Sequence, residues 1–296
     1  MKKDFKKPAC AGREIEWLIR DKYNGSFSHC RLGFERDLER LKKGEPIDYV
    51  IGWKEFWGCK IDLSEKPLIP REETEFWVGG ALKEIANEVV RSRISGSIEK
   101  RLLTTSKNDF SLLPRARAKE VGSRVTRSNF ASPLKVLDLF AGSGCIGLAV
   151  LKHCPDVQMT FADKEENCVM QIKKNLKLND LKGKVIQADI FKGLRKFDII
   201  FANPPYIPSQ KSKVQKSVKN WEPKEALWAG TDGLLIIKKF LKEAKTHLNP
   251  NGKIYLEFGY GQKKAIENFL KLNKYKSWEF KKDQFGRFRL VKVIGG

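Results

Sequence analysis

The first residues suited to binding a small polar ligand lie where an apolar stretch, Val136 to Leu139, runs into a turn of small residues. The turn is Phe140-Ala141-Gly142-Ser143-Gly144, whose glycines allow the backbone to bend sharply and to approach a ligand. Asp138 is placed either to order this turn or to bind a ligand amino group. Because many α/β proteins use small residues in such turns for packing alone, the turn indicates a binding site only together with a second residue.

That second residue is Asp163, which ends the next predicted strand about twenty residues further along. A carboxylate at this place can accept hydrogen bonds from both hydroxyls of a ribose. The turn and Asp163 together predict a nucleoside site at the carboxyl edge of a doubly wound sheet. Since the turn lacks the full GxGxxG spacing of dinucleotide sites, a cofactor without a pyrophosphate, such as S-adenosylmethionine, fits better than NAD.

A second motif, Asn203-Pro204-Pro205-Tyr206, directly follows a predicted strand. Proline is excluded from central strands and restricts the residue before it, so the chain is held rigid as it leaves the sheet. The carboxamide oxygen of Asn203 and the backbone oxygen of Pro204 can then converge on one NH2 group, with the Tyr206 ring as a stacking wall. The alternative interpretation is an ordinary Pro-Pro loop, which the upstream nucleoside site disfavours.

These residues need a scaffold, and the pattern of apolar residues predicts one in which strands and helices alternate. Strands are predicted at 134–140, 157–162, 184–189, 197–202 and 253–258, and helices at 144–153, 165–179, 233–248 and 262–272. Such alternation requires a parallel sheet with helices on both faces. The segment 277–294, with Gly286 at a turn, is predicted to add an antiparallel hairpin at the sheet edge. The sequence therefore predicts an α/β fold over residues 134–296.

The chain before this domain divides into three parts. Residues 1–48 have helical periodicity and are predicted to form a small helical region. Residues 49–90 are predicted to form a β-hairpin, over Tyr49 to Ile69, and then a linker helix from about Thr74 to Val90. Residues 91–133 are rich in Ser, Thr and Arg without a sustained period, which predicts a mobile basic insertion. We favour a solvated loop there over a dedicated RNA-binding arm.

The composition limits the classes of function. With 58 Lys and Arg against 36 Asp and Glu, the formal net charge is +22, which favours a polyanionic partner such as RNA, a ribosomal particle or an acidic protein. No apolar run suits a bilayer span and the basic N-terminus lacks the apolar stretch of a signal peptide, so we expect a cytoplasmic protein without membrane contact. The six cysteines form no CxxC pair and the three histidines no HExxH motif, so we expect reduced thiols and no metal site.

The sequence resembles the class I S-adenosylmethionine-dependent methyltransferases, and among them the HemK/PrmC family of peptide chain release factor glutamine N5-methyltransferases. The resemblance covers most of the chain from Gly44 to the C-terminus, apart from residues 91–133. It is carried by the glycine turn, the NPPY motif at 203–206, GEPIDYVIG at 44–52, EFWG at 55–58, LIPREETE at 68–75, EP at 222–223, AL at 226–227, GTDGL at 230–234 and EFGYGQ at 257–262. The 68–75 stretch makes it specific, because other methyltransferases share only the glycine turn.

This resemblance implies a Rossmann-like fold with a mostly parallel seven-stranded sheet, a small helical N-terminal region and a linking β-hairpin. It implies S-adenosylmethionine as cofactor, with the candidate contacts Asp138, Phe140, Ala141, Gly142, Ser143, Gly144, Asp163, Asp189, Ile190 and Asn203. It also implies that a catalytic loop, Asn203, Pro204, Pro205 and Tyr206, presents the substrate. Arg71, Glu72 and Thr74 are expected to help close the site.

The implied reaction is methyl transfer to the side-chain amide nitrogen (N5) of the glutamine in the GGQ motif of a peptide chain release factor. Phe140 stands where the family usually has Gly, in a spelling also seen in RNA guanine methyltransferases. Together with the basic charge, this keeps open methylation of exocyclic amino groups of adenine or guanine in RNA or DNA, since a base NH2 suits the same two acceptors. A non-enzymatic scaffold on the ribosome is a third alternative, which the intact motifs disfavour.

Overall fold

The computed structural model describes residues 12–26, 30–94, 133–209 and 214–295, with only the backbone of residues 91–94. The α-helices in these ranges are α1 Gly12–Tyr23, α2 Arg31–Lys42, α3 Ile47–Ile51, α4 Glu72–Ile94, α5 Cys145–His153, α6 Glu166–Leu178, α7 Lys216–Trp221, α8 Leu235–Ala244 and α9 Lys263–Leu272. The strands are β1 Trp53–Phe56, β2 Cys59–Asp62, β3 Lys135–Leu139, β4 Gln158–Asp163, β5 Lys184–Gln187, β6 Phe197–Ala202, β7 Leu248–Glu257, β8 Ser277–Lys282 and β9 Phe288–Ile294. The predicted basic insertion, 91–133, lies almost wholly outside the described residues. Among the helices that are described, none has both the length and the apolarity needed to cross a membrane.

Seven strands form one sheet in the order β5-β4-β3-β6-β7-β9-β8, while β1 and β2 form a separate antiparallel hairpin. Strands β3 to β7 run parallel, and β9 is antiparallel to both β7 and β8. This confirms the predicted α/β fold, its mostly parallel sheet and the antiparallel hairpin at the edge. The chain builds outward from β3 to β5 and then returns to β6 beside β3, which creates the switch point where open α/β sheets bind ligands.

Each face of the sheet carries its own apolar cluster, because successive side chains of a strand point to opposite sides. Val136 of β3 belongs to the cluster that includes Trp77 of α4 and side chains of α5 and α6. Its neighbour Leu137 belongs to the other cluster, with Phe240 of α8 and residues of α9. A third, small cluster joins α1, α2 and α3 and consists of Leu18, Phe34, Leu41 and Val50. A small helical N-terminal region is thereby confirmed for the residues that the structure describes there.

The predicted start of the hairpin is wrong. Tyr49 to Ile51 form the end of helix α3 instead of a strand. The chain enters α3 after Pro46, whose φ of −55° suits a helix start, and leaves it at Gly52 with a φ of 95°. The hairpin is therefore limited to β1 and β2. The linker helix α4 extends beyond the predicted range at both ends.

Helix α6 and the residue that caps its C-terminus hold the hairpin on the main domain through two amide side chains, four residues apart in the sequence. Asn179 forms hydrogen bonds with both backbone groups of Lys60, at 2.9 and 2.8 Å. Asn175 accepts from the backbone N–H of Asp62 at 2.8 Å and donates to the backbone oxygen of Ser143 at 2.9 Å. The hairpin is thus connected through Asn175 to the glycine turn.

Trp57, between β1 and β2, fixes the hairpin on helix α4. Its indole N–H donates to the backbone oxygen of Glu75 at 2.7 Å, and its backbone N–H donates to the Glu75 carboxylate at 3.2 Å. Gly79 of α4 leaves the space for the indole ring, since a Cβ at this position would lie 2.4 Å from Cζ2 of Trp57. A glycine inside a long helix is therefore explained by ring packing.

We expect Gly79→Ala to lower the free energy of unfolding by about 1–3 kcal/mol, because the added methyl group displaces either the Trp57 ring or the helix. Gly80→Ala is the matched control: a Cβ there meets nothing within 4 Å, and the change should stabilise the helix by about 0.5–1 kcal/mol. Urea unfolding of both variants measures the difference. Equal stability of the two variants would contradict the role given to Gly79.

Candidate active site

A cavity of about 370 Å³ opens at the carboxyl ends of β3, β4 and β6, at the switch point of the sheet. This volume lies within the range of small-molecule sites, about 300–1,000 Å³. The sequence-predicted residues that line it are Phe140, Ala141, Gly142, Ser143, Asp163, Asp189, Ile190, Asn203 and Pro205. Four other predicted residues, Asp138, Gly144, Pro204 and Tyr206, lie outside the lining. The structure therefore brings the glycine turn, the ribose-binding candidate and the NPPY loop together around one cavity.

The glycine turn presents bare backbone to the cavity. Gly142 lines the cavity with a φ of 55°, and a Cβ on it would meet nothing within 4 Å. A side chain at this position would fill open space that the glycine leaves to a ligand. Gly144, with a φ of 79°, begins α5 and lies against Ile172, 3.2 Å from where its Cβ would be. The absence of a side chain at Gly142 thus leaves space in the cavity, whereas its absence at Gly144 allows close packing against Ile172.

Phe140 has a φ of 60°, which for a residue with a side chain costs about 1–2 kcal/mol. Its partly buried ring lines the cavity and makes an edge contact with Phe240, with 6.1 Å between the ring centroids. This packing offsets part of the backbone strain. It also gives the cavity an aromatic wall at a position where the resembled family usually has glycine.

Asp163 connects the glycine turn to the end of β4. Its Oδ2 accepts a hydrogen bond from the N–H of Gly142 at 2.8 Å, and its Oδ1 accepts one from the N–H of Glu165 at 3.0 Å. Each carboxylate oxygen has a second acceptor site, so the group can hold the turn and still bind the hydroxyls of a ligand. Burial raises the pKa of Asp163, whereas the backbone N–H donors oppose that rise.

Asp138 anchors helix α5 to β3 and does not reach the cavity. It is 1% exposed, and its Oδ2 accepts a hydrogen bond from the N–H of Gly147 at 2.9 Å. Its Oδ1 has no hydrogen-bond partner among the described residues. Burial raises the pKa of Asp138 to about 8, and the carboxylate of Asp163 adds to this rise. Its hydrogen bond reaches helix α5 directly after the glycine turn, and Asp138 is not part of the cavity lining.

We expect Asp138→Asn to stabilise the protein increasingly as the pH rises from 5 to about 8. Between the pKa of an unfolded Asp, about 4, and the folded pKa, the folded chain keeps a proton that the unfolded chain has released. The stability of the wild type therefore falls with rising pH through this group, by about 1.4 kcal/mol per pH unit. Asparagine has the same shape and does not ionise. Unfolding in urea at several pH values measures the difference between the two proteins.

The exposed substitution Asp180→Asn controls for the loss of one carboxylate. A stability difference between Asp138→Asn and the wild type that is the same at pH 5 and pH 8 would contradict the inferred protonation.

The NPPY loop leaves β6 at the rim of the cavity. Asn203 and Pro205 line the cavity, and Pro204 between them is buried. The carboxamide of Asn203 makes no hydrogen bond to any described residue. Its oxygen is therefore available to an NH2 group in the cavity, which is the property that the motif predicts.

The residues that follow the loop, 207–209, form backbone hydrogen bonds with the segment 227–230. The backbone N–H of Ile207 donates to the oxygen of Leu227 at 2.9 Å, and the oxygen of Ile207 accepts from the N–H of Ala229 at 3.0 Å. The N–H of Ser209 donates to the oxygen of Gly230 at 2.8 Å. The AL and GTDGL stretches that carry the family resemblance thus hold the exit of the NPPY loop.

Tyr206 is held at both ends without being part of the cavity lining. Its hydroxyl donates to Oε1 of Glu257 at 3.1 Å, and its backbone oxygen accepts from the side-chain N–H of Gln262 at 3.0 Å. Gly233 lies against the same backbone oxygen, 2.3 Å from where its Cβ would be. Burial, with the nearby Glu257, raises the pKa of Tyr206, so that its hydroxyl remains a donor.

The linker segment, residues 68–75, leads into helix α4 and forms a further wall of the cavity. Arg71 and Thr74 line the cavity, as the resemblance implies, whereas Glu72 does not. The Arg71 guanidinium donates to the buried carboxylate of Glu222 at 2.6 Å, and Glu222 also accepts from the N–H of Ile69 at 3.2 Å. The EP stretch at 222–223 therefore holds the linker segment beside the cavity.

The sequence analysis did not predict the remaining cavity-lining residues, which are Leu68, Ile69, Pro70, Leu139, Cys145, Ile146, Lys164, Glu165, Cys168, Ala188, Pro223, Glu225, Ala226, Trp228, Ile236 and Lys239. Most lie within or next to stretches that carry the family resemblance, which was the available signal. Trp228 is the largest of them and adds a second aromatic wall to that of Phe140. Within the described part of the chain, no three His, Cys, Asp or Glu residues are placed to hold a metal ion.

The chain matches one family model and several relatives among known proteins. The model of the methyltransferase small domain matches residues 116–220. A protein named release factor glutamine methyltransferase from Thermodesulfovibrio yellowstonii is 33% identical over 258 residues, which cover 86% of this chain and 78% of that protein. A protein of the same name from Streptococcus pneumoniae is 32% identical over 267 residues, covering 89% of this chain and 80% of that protein. The crystal structure of a methyltransferase from Pyrococcus furiosus is 18% identical, covers 74% of this chain and 98% of its own, and has a TM-score of 0.42.

Proposed function

Because this chain belongs to the release factor glutamine methyltransferase family, we propose that it methylates the N5 amide nitrogen of the glutamine in the GGQ motif of peptide chain release factors. The observation that carries the proposal is the unbonded carboxamide of Asn203, on a rigid loop at the rim of a cavity of cofactor size. A release factor substrate would place the reaction in the cytoplasm, where translation takes place.

We propose S-adenosylmethionine as the cofactor, and the residues of the cavity fit it. Gly142 leaves open space beside its backbone, and Asp163 retains acceptor capacity for ribose hydroxyls. Asp189 and Ile190 line the cavity and would border the adenine, as the resemblance implies. When bound, the cofactor supplies an electrophilic methyl group on a sulfonium.

The amide nitrogen of a glutamine is a weak nucleophile, because its lone pair is delocalised into the carbonyl group. The protein must therefore orient the NH2 group and stabilise the positive charge that develops on nitrogen. We assign both tasks to the Asn203 side-chain oxygen and the Pro204 backbone oxygen, each accepting one N–H of the substrate. Tyr206, fixed by Glu257 and Gln262, holds the loop in register for this contact.

The second candidate function is methylation of exocyclic amino groups of adenine or guanine in RNA or DNA. Two observations favour it: the net charge of +22, and the aromatic wall of Phe140, on which a base could stack. The chain aligns over most of its length with proteins named release factor glutamine methyltransferase, and this similarity supports a protein substrate over a nucleic acid.

The test supplies S-adenosylmethionine with a labelled methyl group to the purified chain and an undermethylated lysate. Label that protease destroys, and that maps to the GGQ glutamine of a release factor, supports the proposal. If nuclease removes the label instead, the NPPY loop acts on a nucleic acid base, and the proposed substrate is wrong. Calorimetry with S-adenosylmethionine tests the enzyme itself, because absence of binding would favour a scaffold and overturn both reactions.

A further inference from the structure

We propose that Glu257 is the positioning residue of the NPPY loop and that it couples linker helix α4 to Tyr206, an inference that rests on the function proposed above. Glu257 ends β7 and is 1% exposed. It does not line the cavity, so it can act on a substrate only through other residues. A carboxylate this deep in a protein is retained only where donors surround it.

Three donors do surround it, and they come from two segments far apart in the sequence. Oε1 accepts the hydroxyl of Tyr206 at 3.1 Å. Oε2 accepts the hydroxyl of Thr74 at 2.6 Å and the indole N–H of Trp77 at 2.7 Å. Thr74 and Trp77 are three residues apart and so lie on one face of α4. A single carboxylate therefore bridges the linker helix, the central sheet and the NPPY loop.

The segment 257–262, which begins with Glu257, contacts Tyr206 at a second point. Gln262 donates to the Tyr206 backbone oxygen at 3.0 Å, and its own side-chain oxygen accepts the N–H of Gly259 at 2.8 Å. The loop contains two prolines and is stiff, so fixing Tyr206 also fixes the direction of Asn203. A displacement of about 1 Å at a substrate-binding atom can cost about a hundredfold in rate. The position of Asn203 thus depends on Glu257 without any contact between the two.

The test is Glu257→Gln, which keeps the volume and replaces one acceptor oxygen by an NH2 donor. Thr74 and Trp77 would draw the amide oxygen of the new side chain, so that its NH2 group faces Tyr206 in place of the acceptor Oε1. The hydrogen bond that the Tyr206 hydroxyl donates is then lost, and only a weaker contact of the opposite direction can replace it, so Tyr206 is no longer fixed in the same position. We expect kcat for release factor methylation to fall by about thirtyfold or more, with the dissociation constant of S-adenosylmethionine within about threefold of the wild type. A general loss of folding would lower both.

Glu84→Gln is the matched control. Glu84 also lies on α4 and accepts a tyrosine hydroxyl of β7, that of Tyr255 at 2.7 Å, as well as the ammonium group of Lys281 at 2.9 Å. It belongs to the same helix–sheet interface but not to the cavity lining. We expect Glu84→Gln to lower stability and to leave kcat within about threefold of the wild type.

A double-variant cycle with Tyr206→Phe separates positioning from general stability. In the Tyr206→Phe background, Glu257→Gln should change kcat by less than about threefold, because the hydrogen bond is already absent. A Glu257→Gln variant with wild-type kcat, or with its full effect retained in the Tyr206→Phe background, overturns the inference while the wild type stays active. A wild type inactive on release factor overturns the proposed function instead. If Glu257→Gln does not fold, Tyr206→Phe removes the same bond, and wild-type kcat in that variant overturns the inference.

Discussion

Asn203→Ala is expected to lower kcat by about a thousandfold, while the dissociation constant of S-adenosylmethionine changes by less than about threefold. The side chain makes no hydrogen bond to the described protein, so its removal leaves the fold without a lost contact. Its proposed partner is the substrate NH2 group, whose charge grows as the new bond forms. A contact that strengthens in the transition state affects kcat more than it affects binding. Single-turnover transfer and calorimetry on the same preparation measure the two quantities.

Asn203→Asp is the informative companion, because it keeps an acceptor oxygen at the same place. We expect it to retain more activity than Asn203→Ala, since the acceptor and not the amide NH2 is the group required. Equal losses of cofactor affinity and of kcat in Asn203→Ala would place the residue in the cofactor site alone. That result would leave the acceptor role to Pro204 and would contradict the proposed mechanism.

The sheet and its order of elements were predictable because each parallel strand is a short apolar run bounded by turn residues. Strand β6, Phe197–Ala202, has the predicted bounds, and the edge hairpin follows from its alternation and from Gly286. Errors lie where a boundary depends on geometry outside the segment. The predicted helix 233–248 is shorter, since α8 ends at Ala244 and Leu248 already begins β7.

The residues Tyr49 to Ile51 show a different limit of sequence reasoning. Aromatic and β-branched side chains favour a strand, and the pattern was too short to show a helical period. In the structure Val50 packs against Leu18 and Phe34 of the N-terminal helices, and this tertiary contact decides the local conformation. The Pro46 and Gly52 boundary residues were visible in the sequence, but they suit a turn as well as a short helix.

The cavity itself was predictable because its chemistry lies in contiguous motifs, the glycine turn and the NPPY loop. The supports of the loop were not, because Gly233, Glu257 and Gln262 lie far from it along the chain. Glu257 did carry a signal, since it is a charged residue at the end of the apolar strand Ile254-Tyr255-Leu256. Its partners, however, depend on how α4 crosses the sheet. The pattern of a single sequence does not indicate how a helix is oriented across a sheet.

Gly233→Ala is expected to lower kcat by about a hundredfold with little change in cofactor affinity. Gly233 has a φ of 73°, and an added Cβ would lie 2.3 Å from the backbone oxygen of Tyr206 and 2.8 Å from the side-chain nitrogen of Gln262. The first contact is with backbone and cannot be relieved by a rotamer change. The NPPY loop must therefore move by about 1 Å, which displaces the acceptor oxygen of Asn203. Methyl transfer to a release factor under saturating cofactor measures the effect.

Gly286→Ala separates this displacement from the ordinary cost of a side chain at positive φ. Gly286 has a φ of 76°, and a Cβ there meets nothing within 4 Å. Both variants should lose about 1 kcal/mol of stability from the backbone conformation alone. Only Gly233→Ala should lose activity, because only there does the methyl group meet the NPPY loop. Equal kcat in the two variants would show that the loop tolerates movement at Tyr206, and it would remove the structural basis for fixed acceptors in the mechanism.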